Sequence, residues 1–129
     1  MAIASILAMR PNTIIVDEPT TGQDMRQSIE VMNFLSMLCE KEGHTITIIT
    51  HEMQIVADYT RRTVVLGQGS VLLDAPTREV FAEPGTLKKT FVAPPQITRL
   101  GQALTDFGIP PSVLSIDEMK EEFKKVKEH

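Results

Sequence analysis

From Asp24 to about Glu42 the apolar residues Met25, Ile29, Met32, Leu35 and Leu38 recur at three- and four-residue steps. That spacing predicts an amphipathic helix, with Asp24 as its N-cap and Gly43 as its stop. The runs on either side have a different rhythm. Asn12 to Asp17 (NTIIVD) and Thr45 to Thr50 (TITIIT) are short and β-branched, and the first is continuous enough to predict a fully buried strand. Strand, helix, strand with short connections is a βαβ unit, so the two strands should lie parallel with a right-handed crossover.

Further along, a short helix is expected over Met53 to Tyr59. Thr63–Leu66 and Ser70–Asp74 flank Gly67-Gln68-Gly69 and predict a hairpin around a glycine-rich turn. A helical stretch, APTREVFAEP, should open at Pro76 and end at Pro84. The Pro- and Gly-rich segment from Glu83 to Pro95 reads as a boundary, dividing a sheet-containing part, residues 1–85, from a helical tail, residues 86–129. Two tail helices are expected, Gln96 to Phe107 and Ile116 to Lys127. The second carries acids early and bases late, as the helix dipole favours.

Composition narrows the classes. The 129 residues are 42% hydrophobic and 23% charged, an ordinary globular balance that excludes collagen-like, low-complexity and disordered chains. Thirteen Lys plus Arg against seventeen Asp plus Glu give a net charge of −4, the wrong sign for a nucleic-acid-binding face. The single cysteine, Cys39, forms no internal disulfide, which suits a reducing compartment, and is expected in the core of its helix. Met1–Met9 is apolar but lacks a basic leader and runs into Arg10-Pro11, so neither a signal peptide nor a spanning helix is expected. No other segment approaches roughly 20 uninterrupted apolar residues, so a membrane role would come through a partner.

The candidate chemistry lies in Thr13–Asp24, TIIVDEPTTGQD. Carboxylates at the carboxyl end of a strand project into the crevice where open α/β sheets bind ligands. Asp17 and Glu18 are adjacent and point in different directions, so one can hold magnesium, directly or through water, while the other polarises an attacking water. The dipeptide alone reads as a solvated turn. Its context, with Pro19 stiffening the exit and Thr20, Thr21 and Gly22 forming a polar turn before Asp24, is more specific. His51 follows the second strand, and neighbouring strand ends lie about 5 Å apart, which predicts His51 on the same rim as Glu18. An imidazole there can bond a phosphate oxygen or orient the water.

These stretches resemble the nucleotide-binding subunits of ABC transporters. IIVDEPTTGQD is similar to the Walker B strand with its catalytic glutamate and D-loop, and IITHEM to the switch-histidine loop. The resemblance implies a P-loop NTPase α/β fold of the ABC-cassette type, represented by its C-terminal half, with a parallel sheet, flanking helices and a helical tail. It implies that Asp17 acts on magnesium, Glu18 is the general base, Asp24 faces a second cassette and His51 senses the γ-phosphate. RRTVVLGQGSVLLDAPTREVF resembles the strands and helix that close the cassette, with Ala75 where many members have glycine. The tail VAPPQITRLGQAL is similar to the extension of the energy-coupling-factor subgroup, which powers uptake of cobalt, nickel or vitamins. ATP and Mg2+ as cofactors, another ATPase cassette and membrane transporter subunits as partners, and a cytoplasmic place at the membrane follow from the same resemblance.

The 129 residues contain no G-x-x-x-x-G-K-[ST] phosphate loop, no LSGGQ-type signature and no glutamine loop. Triphosphate affinity depends mainly on the backbone cradle and lysine of such a loop, so the chain alone is expected to be inactive. In the family's sheet the phosphate-loop strand lies between Thr45–Thr50 and Thr63–Leu66, so these strands are expected to have an open slot that another chain, or re-pairing in an oligomer, would fill. Two other readings stand beside this one. One is a split or degenerate cassette acting as a dimerisation or binding module. The other is an unrelated metal-dependent hydrolase using Asp17, Glu18, His44 and His51, which His44 opposes by lying at the far end of its strand.

Overall fold

A computed structural model describes residues 2–90 and 92–127. Its contacts divide the chain into two compact units, Met1–His51 and Glu52–His129. This contact-based division falls well before the compositional boundary near residue 85.

The first unit is α1 (Ala2–Leu7), β1 (Thr13–Asp17), α2 (Met25–Glu42) and β2 (Thr45–Ile49). β1 and β2 are parallel and in register from Thr13 opposite Thr45 to Asp17 opposite Ile49, as the βαβ pattern predicts. α2 begins where the Asp24 Oδ1 accepts the Gln27 backbone N–H at 2.8 Å. It ends at Gly43, whose φ of 73° is the left-handed conformation that glycine adopts without a Cβ clash. The N–H groups of Gly43 and His44 both close on the Leu38 carbonyl. Replacing Asp24 by Ala should cost about 1 kcal/mol through loss of this cap. Urea unfolding followed by far-UV circular dichroism would check it, and an unchanged midpoint would mean the cap contributes nothing.

Two expectations for this unit are corrected. β1 is not fully buried, because burial alternates along it: Ile14 is 3% exposed whereas Ile15 is 65% exposed, and Ile49 on β2 is 54% exposed. A two-stranded sheet with α2 packed against β2 has one covered face, and a continuous apolar run does not say which. On α2 the buried stripe is Met32, Leu35 and Leu38, while Met25, Ile29 and Cys39 are exposed. Cys39 follows Leu38 directly, and a step of one residue turns a helical side chain about 100° from the buried stripe.

The second unit opens with α3 (Met53–Tyr59), then β3 (Arg62–Gly67) and β4 (Ser70–Pro76), an antiparallel pair. Gln68 and Gly69 join them with φ of 53° and 76°, the two positive values of a type I′ turn. A register shift at Val65/Leu66 bulges the pair. β2 and β3 belong to separate two-stranded sheets. Arg62 forms a two-pronged ion pair across the hairpin, with its Nε and Nη2 each 2.7 Å from an Asp74 carboxylate oxygen.

The helices that follow are α4 (Thr77–Phe81), α5 (Pro84–Lys88), α6 (Gln96–Ala103), a 3-10 turn at Thr105–Phe107, and α7 (Ile116–Lys127). Pro76 closes β4 and caps α4 rather than sitting inside a helix, and Pro84 starts α5 rather than ending a longer helix. Pro84 suits a first turn because the ring fixes φ near the helical value and has no N–H to donate, whereas Pro76 has ψ of 138°, extended rather than helical. The core joins Val56, Val65, Val80, Phe81 and Leu87 to Leu114 from the tail. A smaller cluster of Ile109, Val113 and Met119 lies beside it. Ser115 accepts the Glu118 N–H at the start of α7, while Glu118 accepts the Leu114 N–H and pairs with Arg78 at 2.8 and 2.9 Å. No helix among the described residues is long and apolar enough to cross a membrane.

Candidate functional site

The site is built at the carboxyl ends of β1 and β2. Asp17 is the last residue of β1, opposite Ile49, and Glu18 is the first beyond it. The Glu18 backbone N–H still donates to the Ile49 carbonyl at 2.8 Å, so the pairing of the strands persists into the turn. There the chain changes direction: Glu18 has φ of 46°, a left-handed conformation that costs a non-glycine residue about 1–2 kcal/mol. The turn closes with Thr21 N–H on the Glu18 carbonyl and Gln23 N–H on the Thr20 carbonyl, each at 3.2 Å.

The strained backbone coincides with a concentration of contacts on one carboxylate. His51 donates from Nδ1 to Glu18 Oε1 at 2.7 Å, which brings together the two residues expected on one rim. An ionised carboxylate only accepts, so Nδ1 carries the proton in this contact. The hydroxyls of Thr21 and Thr50 donate to Glu18 Oε2 at 3.2 and 3.4 Å. Glu18 is only partly exposed along its side chain (33%), while the His51 side chain is open at 77%.

The His51 hydrogen bond holds the Glu18 carboxyl below the usual range, opposed by desolvation and helped by the imidazole's charge and both hydroxyls. A depressed folded value stabilises the fold above the ordinary glutamate pKa, and that contribution is lost as pH falls through the lowered value. Carbon-detected NMR titration should therefore find the Glu18 midpoint below that of ordinary glutamates, rising when His51 is replaced by Ala. An ordinary midpoint in the unmodified chain would mean the contact is not held in solution.

The other candidates separate from this pair. Asp24 uses its carboxylate to cap α2. His44 precedes β2 and donates from Nδ1 to the Pro11 carbonyl at 2.7 Å, so the whole strand lies between it and His51. Among the described residues no three His, Cys, Asp or Glu side chains gather as a metal-holding cluster. Magnesium is commonly held by one or two carboxylates with its remaining oxygens from phosphate and water, and Asp17 offers a hard oxygen donor at the strand end next to Glu18. The hydroxyls of Thr21 and Thr50 were not anticipated as partners of Glu18. Thr50 adjoins the imidazole in sequence, whereas Thr21 stands three residues after the acid and reaches it only through the turn.

A parallel βαβ unit with its polar residues at the strand ends, followed by a hairpin and a helical tail, is an α/β arrangement of the kind found in part of an ABC cassette. The comparison with solved structures agrees. The chain matches CbiO1 from Clostridium perfringens, part of the ABC transporter complex cbiONQ, with a TM-score of 0.60 and 36% identity over 81% of this chain and 40% of that one.

Over nearly its whole length the chain is homologous to part of the ATP-binding proteins of ABC transporters, energy-coupling factor transporters among them. It is 41% identical over 124 residues to an ABC transporter ATP-binding protein of Methanosarcina acetivorans, covering 93% of this chain and 20% of that protein. It is 39% identical over 126 residues to the energy-coupling factor transporter ATP-binding protein EcfA2 of Streptococcus pyogenes, covering 96% of this chain and 45% of that protein. The chain thus spans less than half the length of these relatives. No protein-family model matches it.

Proposed function

We propose that this chain forms the Walker B, D-loop and switch-histidine part of an ATP-hydrolysing subunit of an ABC-type importer, coupling hydrolysis to uptake of a solute or metal ion. The observation that carries the reading is the 2.7 Å contact between Glu18, at the end of β1, and His51, at the end of β2. In this reading Glu18 accepts a proton from the attacking water, and His51 orients that water or bonds the γ-phosphate through Nε2. Asp17 would hold magnesium, which when bound neutralises charge developing on the phosphoryl oxygens. Asp24 fixes the start of α2 and would face a second cassette.

The kinship with energy-coupling factor and CbiO proteins supports membrane transporter subunits as partners, a second ATPase cassette, and a cytoplasmic place at the membrane. With no phosphate loop in its 129 residues, the chain alone should turn over no ATP, and ATP and magnesium should bind tightly only when that loop is supplied. The test is phosphate release by an assembly in which a phosphate loop and signature are provided by a partner or by extending the chain. Magnesium-dependent release that falls on replacing His51 by Ala supports the reading. An assembly that binds ATP and turns over equally well without the imidazole overturns it.

A second reading, a split cassette acting as a binding module, is favoured by the open face carrying Ile15 and Ile49. It predicts the same assembly without hydrolysis.

A further inference from the structure

Glu18 is held at both oxygens, and the two holds differ in kind. Oε1 meets the His51 imidazole, on a side chain largely open to solvent. Oε2 meets two hydroxyls from separate pieces of chain, Thr21 in the turn after β1 and half-buried Thr50 at the end of β2. Short hydroxyl side chains sweep little space, and Thr is stiff at χ1, so these donors are more nearly fixed than a solvent-facing imidazole. Both sit on framework already tied together, since the Thr21 N–H donates to the Glu18 carbonyl and the Glu18 N–H to the Ile49 carbonyl.

We propose that Thr21 and Thr50 are positioning residues for Glu18, clamping Oε2 from two strand ends so that the carboxylate keeps its aim when His51 leaves Oε1. This rests on Glu18 being the water-polarising group. A carboxylate held only by the imidazole would swing whenever the ring turned to another partner. With Oε2 held, Oε1 becomes an acceptor presented in a fixed direction at the moment the imidazole is withdrawn. The left-handed backbone at Glu18 belongs to the same arrangement, because it is the turn that brings the Thr21 hydroxyl back within 3.2 Å of the carboxylate three residues earlier.

The test needs no nucleotide, so its outcome is separate from that of the hydrolysis experiment. Three-bond couplings along the Glu18 side chain are measured by NMR in the full chain, in His51→Ala, in the Thr21→Val, Thr50→Val double variant, and in that double variant with Ser restored at either position. Amide spectra and melting curves establish that each variant is folded. The expected result is a single Glu18 rotamer in the parent and in His51→Ala, averaged couplings in the double variant, and partial recovery towards the single rotamer with Ser at either site. A purely steric role would not distinguish Val from Ser in this way. Unchanged couplings in the double variant, or averaging already complete in His51→Ala, overturn the proposal. Should Thr50→Val fail to fold, Thr21→Val combined with His51→Ala alters only exposed side chains. That pair leaves Thr50 alone on Oε2, and parent-like couplings there overturn the clamp while partial averaging supports it.

Discussion

Replacing Glu18 by Gln is expected to lower ATP turnover by an assembled cassette about 10²–10⁴-fold, the range lost with a positioned general base, while leaving nucleotide affinity near that of the parent. Gln fills the same volume, and its amide oxygen can still accept the His51 Nδ1–H, so the geometry at the strand ends should persist. What disappears is the negative charge and the site that takes the proton. Affinity should hold because the triphosphate is gripped chiefly by a phosphate loop and magnesium rather than by this carboxylate. Single-turnover phosphate release together with equilibrium nucleotide binding separates the two effects. Unchanged turnover would remove Glu18 from the reacting atoms, and loss of binding alone would make it a ligand rather than a base.

The second large effect is on stability. Phe81 is wholly buried among Val56, Val65, Val80, Leu87 and Leu114, where the hairpin, α4, α5 and the segment before α7 meet. Phe81→Ala should destabilise this unit by about 3–5 kcal/mol, the transfer term plus the cavity left behind. That is a large share of the roughly 5–15 kcal/mol that holds a typical domain folded. The chain has no Trp and a single Tyr, Tyr59 at the end of α3, so tyrosine fluorescence reports on this unit alone. Urea curves followed by Tyr59 should shift strongly for Phe81→Ala and less for Phe81→Leu. A shift below about 1 kcal/mol would show that the cluster is not packed as a core.

Features set by neighbouring residues were legible in the sequence. The cap at Asp24, the stop at Gly43 and the turn at Gln68-Gly69 are local devices, and each lies where its residue type predicts. The meeting of Glu18 and His51 was legible because parallel strands in sequence place their carboxyl ends side by side. Where several answers satisfy the same pattern, the sequence was silent. TIIV is apolar on both faces, so nothing in it alone distinguishes buried Ile14 from exposed Ile15, whereas the Thr-Ile alternation of TITII does mark its more exposed face. Arg78 and Glu118 find each other across 40 residues, although Ser115 three positions before Glu118 is a readable capping signal. Pro84 is compatible with both the end of one helix and the start of another, and contacts decide.

The open face of the first unit sets how its assembly responds to solvent. Ile15 and Ile49 stand beside Thr13, Thr45 and Thr47, a strip of β-branched side chains without a charged residue until Asp17 at its end. Whatever covers such a strip is held by exclusion of water rather than by charge. Sulfate and similar salts, being excluded from protein surface, tighten contacts of this kind, whereas added salt loosens ionic ones. An interface built on this face would therefore strengthen with salting-out salts, opposite to the response of the ion pairs that line α7.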